Sequence, residues 1–374
     1  MARMTPRRRL MAALNREPVD MIPVSPRIWA YRLWRGLGDL ECAEMFGYDP
    51  YTDAGGVSTP LTVPFCEKMQ FSHDVRVEII RRREGVKTIA QRTFRTPGGV
   101  LRDVLVLPDP GGAYGIAPNP EWVEPLIKSR SDAQLLPYVL PGAEFMSMDG
   151  FRAVEQEWGE RGLVLCRTCA GTDQVAIDAM GIAHAMVYLY DDEALFDDVF
   201  RVADDWNVSL FKKALEAGAR YFFDSMFNMS LSAGWSPATW RDKVLPFVKR
   251  HADLVHSCGG KLVLYDDGNI MGIMDLIAES GADALQTVAP SPIGDADFAA
   301  LKRRLGNRLC FWGGVDLSLI LRGTPQQVEA QVRDAIEKLG PTGLIVGTSD
   351  SIRDGSPEEN VRAFCDAARR YGAV

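Results

Sequence analysis

Residues 256–269 read HSCGGKLVLYDDGN, and two kinds of chemistry are written there. His256 and Cys258 are donors of the sort that hold zinc, and Cys310 downstream offers a third. Tyr265, Asp266 and Asp267 are oxygen groups suited to moving a proton or holding a harder cation. Cys166 and Cys169, in LVLCRTCAG, form a second cysteine pair with no matching pair elsewhere, so packing is their expected role.

Which of these groups can act depends on the elements that carry them. Short β-branched or aromatic runs alternate with amphipathic stretches, the pattern of βα units around a parallel sheet. Strands are expected at 22–26, 49–54, 163–168, 221–225, 261–267, 283–288, 309–314 and 344–349. Most are short and apolar on both faces, as strands between a barrel interior and an outer helix ring must be. The expectation is an α/β fold, a TIM-type (β/α)8 barrel forming a single domain over 1–374. Ser236-Pro237, Thr324-Pro325 and Ser356-Pro357 mark helix starts, and Pro246 should break the helix that follows the first of them. The stretch 70–125 does not fit the alternation. Its Thr96-Pro97-Gly98-Gly99 turn predicts a β-hairpin inserted after the second strand.

Active sites of such barrels lie at the C-terminal strand ends. That rule selects Arg27, Asp53, Asp224, Tyr265, Asp266, Asp267, Asn269, Gln286, Asp316, Ser349 and Asp350. It places His256 and Cys258 at the other end, where a helix stops and Gly259 or Gly260 adopts the left-handed cap. His256 then sits favourably at the negative end of the helix dipole. Strand alternation aims Tyr265 and Asp267 at the mouth, and Leu264 and Asp266 at the outer helices. Asp266 or Asp267 is also a candidate cap for a helix expected from about Ile270. Trp29, Tyr31, Trp34, Phe227 and Trp235 are aromatics near the rim, placed either to hold an aromatic or cationic substrate or simply to pack.

Composition bounds the partners. The chain has 374 residues, 47% hydrophobic and 25% charged, which is that of a soluble globular enzyme. No apolar run reaches the roughly 18 residues of a membrane helix. The basic N-terminus reads as an amphipathic first helix and not as a secretory signal. Seven scattered cysteines fit a reducing, cytoplasmic compartment. Net charge is −8, and the basic runs Arg7–Arg9 and Arg81–Arg83 are short, so they read as solvated faces and nucleic acid is not expected. No Gly-x-Gly-x-x-Gly or P-loop occurs, so no nucleotide cofactor is expected.

The segments SPATWRDKVLPFVKR, GGKLVLYDDGNIMGIMDLIAESGADALQ, LKRRLGNRLCFWGGVDLSLILRGTPQQV and GTSDSIRDGSPEENVRAF, together with REPVDMIPVSPRIW near the start, resemble the uroporphyrinogen decarboxylase superfamily. That superfamily also contains corrinoid-linked methyltransferases. The resemblance implies a TIM barrel and, for the decarboxylases, a homodimer. The zinc-dependent methyltransferases carry His-x-Cys-Gly at the end of the strand corresponding to 261–265, and a later ligand cysteine. In that register Tyr265 stands for the histidine, Asp267 for the first cysteine and Asp350 for the second. Any metal would therefore fall to Asp267 and Asp350, with Tyr265. The decarboxylases' basic N-terminal segment corresponds to SPRIWAYRLWRGLG, with Arg27, Arg32 and Arg35 in a different pattern, and their C-terminal histidine again falls at Asp350.

Three functions are open at this point. In the first, a methyl group passes from a small methylated substrate to a corrinoid protein or another acceptor. Asp267, Tyr265 and Asp350 act on protons, while Arg27, Asp53, Asp224, Asn269, Gln286, Phe227 and Trp29 hold substrate. The second is decarboxylation of uroporphyrinogen or another small carboxylate, with Arg27 as the cation and Asp53 or Asp267 beside a protonated ring. The third is a binding barrel without catalysis, against which the retained titratable groups argue.

Overall fold

The computed structural model describes residues 3–62, 69–111 and 118–374. Among them are eleven strands: β1 Tyr51–Ala54, β2 Arg76–Glu84, β3 Lys87–Thr96, β4 Gly99–Pro108, β5 Glu121–Glu124, β6 Leu163–Cys166, β7 Tyr221–Ser225, β8 Lys261–Tyr265, β9 Ala284–Val288, β10 Cys310–Val315 and β11 Leu344–Thr348. They form a seven-stranded parallel sheet in the order β1-β6-β7-β8-β9-β10-β11 and a four-stranded antiparallel sheet in the order β2-β3-β4-β5. The chain packs as two compact units. One comprises 1–54, 149–166 and 219–374 and carries the parallel sheet. The other comprises 55–148 and 167–218 and carries the antiparallel one.

The parallel sheet has the α/β, TIM-type architecture expected from the strand alternation. Its strands run consecutively, and helices lie in most of the connections. Of the eight expected strands, the first, 22–26, is reduced to a single bridge, Val24 to Val346. The cause is local. Pro23 and Pro26 carry no N–H, so the ladder cannot extend. The remaining bonds still join both sheet edges. Ser25 N donates to Val346 O at 2.8 Å, and Val346 N to Pro23 O at 2.9 Å. Asp49 N, leading into β1, donates to Val24 O at 2.7 Å.

Strands β6, β9, β10 and β11 are buried on both faces, which explains their unbroken apolar character. Leu165, Phe223, Val263, Tyr265, Ala284, Trp312 and Ile345 form one cluster with Leu10, Ala13 and Leu14 of the first helix, Pro6–Leu14. Full burial of each large side chain is worth about 1.5–3 kcal/mol. Trp312 donates from Nε1 to Ser25 O at 2.8 Å. This close approach requires Gly347, where a Cβ would lie 2.9 Å from the Trp312 ring and 3.0 Å from Ser25 O.

The first helix corrects one expectation. Arg9, within the basic run read as solvated, is buried and paired with Asp20 and Asp49. Its hydrogen bond to Asp20 holds that carboxyl down at about 2. Helix punctuation follows the sequence closely. Ser236 and Thr324 cap the helices Pro237–Lys243 and Pro325–Leu339. The break before Pro246 falls at Val244, between Pro237–Lys243 and Leu245–Ser257.

The insertion is larger than the hairpin expected at 70–125, of which 112–117 lie outside the described residues. The β3–β4 hairpin turns at Thr96–Gly99, where Thr96 Oγ1 accepts from Gly98 N at 3.2 Å and Gly99 N at 3.1 Å. β2 and β5 flank it.

Candidate active site

Most of the selected residues gather at the C-terminal ends of the parallel strands. Tyr265 ends β8 and Asp267 follows two residues later. Tyr265 Oη lies 3.2 Å from Asp267 Oδ2 and 3.3 Å from Asp350 Oδ1. One phenolic proton therefore serves two carboxylates. Gly268 permits the turn beyond them. Its φ is +76°, and a Cβ there would collide with Ser232 Oγ, which accepts from Asn269 N at 2.8 Å.

Arg27 closes the cluster from the first strand segment. Its guanidinium carbon stands 4.7 Å from the Tyr265 ring centre and 5.7 Å from that of Phe223, within cation–π range. Nε is 3.4 Å from Asp350 Oδ1, and Nη1 donates to Gln286 Oε1 at 3.4 Å. Gln286 is buried in β9, and its Oε1 is also 3.5 Å from Tyr51 Oη. Phe227 meets Tyr265 edge-on at 6.1 Å. Asp350 has a second partner in Arg353 Nη2 at 3.2 Å.

These surroundings set the proton affinities. Burial, and then the Asp350 charge, push Asp267 up to about 6. The same two causes hold Tyr265 well above its ordinary value. Burial likewise raises Tyr51. Burial works against the Arg27 charge, but Tyr51, Tyr265, Asp350 and Asp53 outweigh it, so the guanidinium stays charged. The result is one fixed cation beside a carboxyl group that titrates near neutrality.

The other selected residues have different fates. Asp53, next to the last residue of β1, is exposed and contributes its charge to Arg27. Asn269 is exposed, and Trp29 is half-buried at the start of the helix Trp29–Arg35. Asp224 is a correction. Alternation in β7 points Phe223 inward and Asp224 toward the helices, where His251 Nδ1 lies 2.7 Å from its Oδ2 in a buried pair. Asp266 also faces the helices and accepts from Trp240 Nε1 at 3.1 Å. Neither Asp266 nor Asp267 caps the next helix, which starts later, at Met274. Asp295 instead accepts from Ile270 N and Met271 N. Asp316 caps the helix Leu317–Arg322. Tyr51, Phe223 and Arg353 were missed. Tyr51 shares a strand face with Asp53, so its two-residue spacing was the available signal.

His256 and Cys258 end the helix Leu245–Ser257, before β8, with Gly259 left-handed at φ +70°. His256 Nε2 lies 2.8 Å from Asp283 Oδ2, and Lys261 Nζ is 2.8 Å from Asp283 Oδ1. Cys258 is exposed, and Cys310 is buried, its thiol pushed up to about 12 by burial. His256→Ala and Cys258→Ala are accordingly expected to leave turnover within about twofold of the parent, as for surface positions remote from a site. Steady-state kinetics checks this.

The mouth does not fit a thiolate-held zinc ion. Tyr265 keeps its proton and donates it, so it offers no anionic ligand, and the Asp267 carboxyl, raised to about 6, holds its proton more readily than an ordinary aspartate. Among the described residues no three His, Cys, Asp or Glu side chains group to hold a metal. None of the helices there is long and apolar enough to cross a membrane.

Comparison with known proteins agrees with this architecture. The uroporphyrinogen decarboxylase (URO-D) profile matches residues 124–371. Uroporphyrinogen decarboxylase of Gloeobacter violaceus is 24% identical over 297 residues, covering 76% of this chain and 82% of its own. That of Actinobacillus pleuropneumoniae serotype 5b (strain L20) is 22% identical over 386 residues, covering 97% and 96%. Among solved structures, a methyltransferase from Methanosarcina mazei superposes with a TM-score of 0.65 at 16% identity, covering 98% of this chain and 99% of that one, so the fold is shared. By the extent of the profile match and the barrel that carries it, this chain belongs to the uroporphyrinogen decarboxylase (URO-D) family of enzymes.

Proposed function

We propose that this enzyme transfers a methyl group from a small methylated substrate to an acceptor, a corrinoid protein by the family resemblance, with Asp267 as general acid. The observation that carries the reading is the Asp267 carboxyl, raised to about 6 and held against the Tyr265 hydroxyl. In the reaction the methyl carbon bonds to the acceptor's electron pair while its bond to the substrate heteroatom breaks. The departing pair stays on the heteroatom and takes the Asp267 proton. The carboxylate left behind faces the Tyr265 hydroxyl and lies in the field of Arg27. Phe223, Phe227 and Tyr265 offer apolar faces to the substrate body.

Decarboxylation is the second reading. It is supported by the names of the curated relatives and by Arg27 in the mouth. A polycarboxylate such as uroporphyrinogen meets an unfavourable balance there, since Arg27 already faces Asp350 and the Asp53 charge. The test is direct. The purified chain is incubated with cob(I)alamin and a panel of O-methyl and N-methyl compounds, and separately with uroporphyrinogen. Methylcobalamin formation is expected. Carbon dioxide release from uroporphyrinogen, with no methylcobalamin from any compound, overturns the proposal.

A further inference from the structure

On the methyl-transfer reading, Asp267 gives up one proton in each turnover and must regain one before the next. The substrate has to sit over the carboxyl oxygen that donates. The other oxygen, Oδ2, is held against Tyr265 Oη at 3.2 Å. Tyr265 is only 5% exposed, so water has little access from that side. Beyond the phenol stands Asp350, whose Oδ1 lies 3.3 Å from the same hydroxyl. The Asp350 side chain is 26% exposed, and its Oδ2 meets the half-exposed Arg353 at Nη2, 3.2 Å away. Both contacts of the phenol are long for hydroxyl hydrogen bonds, as proton-transfer contacts often are before substrate closes over them.

The three side chains form a row from solvent to the reacting carboxyl, and each can take and give a proton. Arg27 fixes this row without entering it. Its Nε is 3.4 Å from Asp350 Oδ1, and its guanidinium carbon is 4.7 Å from the Tyr265 ring centre. A guanidinium does not release its proton in a protein, so Arg27 holds the carboxylate and the ring and carries no proton between them.

Resting on that reading, we propose that Asp350 takes a proton from solvent and Tyr265 relays it to Asp267 while product still covers the donating oxygen. The Asp350 carboxylate accepts a proton from water or a buffer acid. It turns about its Cβ–Cγ bond to present the O–H to Tyr265. The phenol oxygen takes that proton as its own passes to Asp267 Oδ2. Asp350 is a carboxylate again, Tyr265 a phenol and Asp267 a carboxylic acid. One proton has moved, and nothing is oxidised or reduced. Burial and the Asp350 charge hold Tyr265 well above its ordinary value, so it gives and takes together and no phenolate stands between.

The test follows successive methylations of cob(I)alamin by stopped-flow absorbance, with a methyl donor that the parent accepts, at pH about 6, where Asp267 is half protonated. The parent should pass from its first turnover to later ones without a break. In Tyr265→Phe the phenol bond that lowers the proton affinity of Asp267 is gone, so the carboxyl starts loaded. A burst of up to one enzyme equivalent is expected, followed by turnovers roughly tenfold or more slower. Asp350→Ala should give a smaller burst, because the lost charge lets the affinity of Asp267 fall. Its slow phase should quicken with added acetic acid, which fits the space left and supplies the missing donor, and the parent should not respond. A packing role would move neither the burst nor the response to acid. Near-ultraviolet circular dichroism confirms that both variants are folded. A parent that forms no methylcobalamin overturns the methyl-transfer reading and the relay with it. A working parent overturns the relay alone if its variants show equal first and later turnovers, or a slow phase in Asp350→Ala indifferent to acid.

Discussion

Asp267→Asn is expected to fold normally and to lower kcat by about two to four orders of magnitude, the usual contribution of a positioned general acid. Asparagine keeps the size and polarity of the side chain but has no acidic proton. The pH profile gives the sharper measurement. With its carboxyl raised to about 6, Asp267 is half protonated there, whereas an ordinary aspartate near 3.8 would be about 1% protonated. Parent turnover should therefore fall as pH rises through about 6, and the residual rate of Asp267→Asn should lack that limb. Stability should move the opposite way. The folded carboxyl has a higher proton affinity than the unfolded one, so its contribution is full below about 3.8 and is lost as pH rises through about 6. At neutral pH the neutral asparagine avoids that loss, and the variant should gain up to about 3 kcal/mol. Calorimetric melts at acid and neutral pH measure the difference. A variant that turns over within tenfold of the parent, with the pH limb intact, removes Asp267 from the mechanism.

The largest stability loss is expected in the other unit. Arg92 and Asp103 form an ion pair with both side chains fully buried, Arg92 Nε donating at 2.9 Å to Oδ1. Trp122 Nε1 adds a bond to Asp103 Oδ2 at 3.3 Å, and the guanidinium lies 5.2 Å from the Phe94 ring centre. Arg92→Ala strands a buried carboxylate, and Asp103→Ala strands a buried cation. Each should cost about 3–5 kcal/mol, a large part of the 5–15 kcal/mol that holds a typical domain. The double variant Arg92→Met/Asp103→Leu should recover most of it, because two apolar groups of similar size leave no charge behind. Urea unfolding followed by circular dichroism measures the loss. Single variants losing less than about 1 kcal/mol would show that water reaches the pair.

The pair also marks where sequence reading stops. The Thr96–Gly99 turn sets the register that puts Arg92 opposite Asp103, so the partnership follows from the hairpin. Its burial does not, because burial depends on what covers that face of the sheet. The mouth divides in the same way. Period-two alternation separated Tyr265 and Asp267 from Leu264 and Asp266, and the structure keeps that division. The same rule applied to β7 would have turned Asp224 toward the helices, had its inward neighbour Phe223 been given weight.

The sequence by itself determined the strand order, most helix caps, and the separation of HSCGG from YDDGN. These rest on short-range rules: proline and glycine geometry, hydrophobic period and capping. Only the tertiary structure decided that Tyr265 stands between Asp267 and Asp350, that Arg27 lies over its ring, and that Asp267 titrates near neutrality. Asp350 is far from Asp267 along the chain, and a proton affinity depends on the burial and charges that folding brings together. Local pattern carries no information about either.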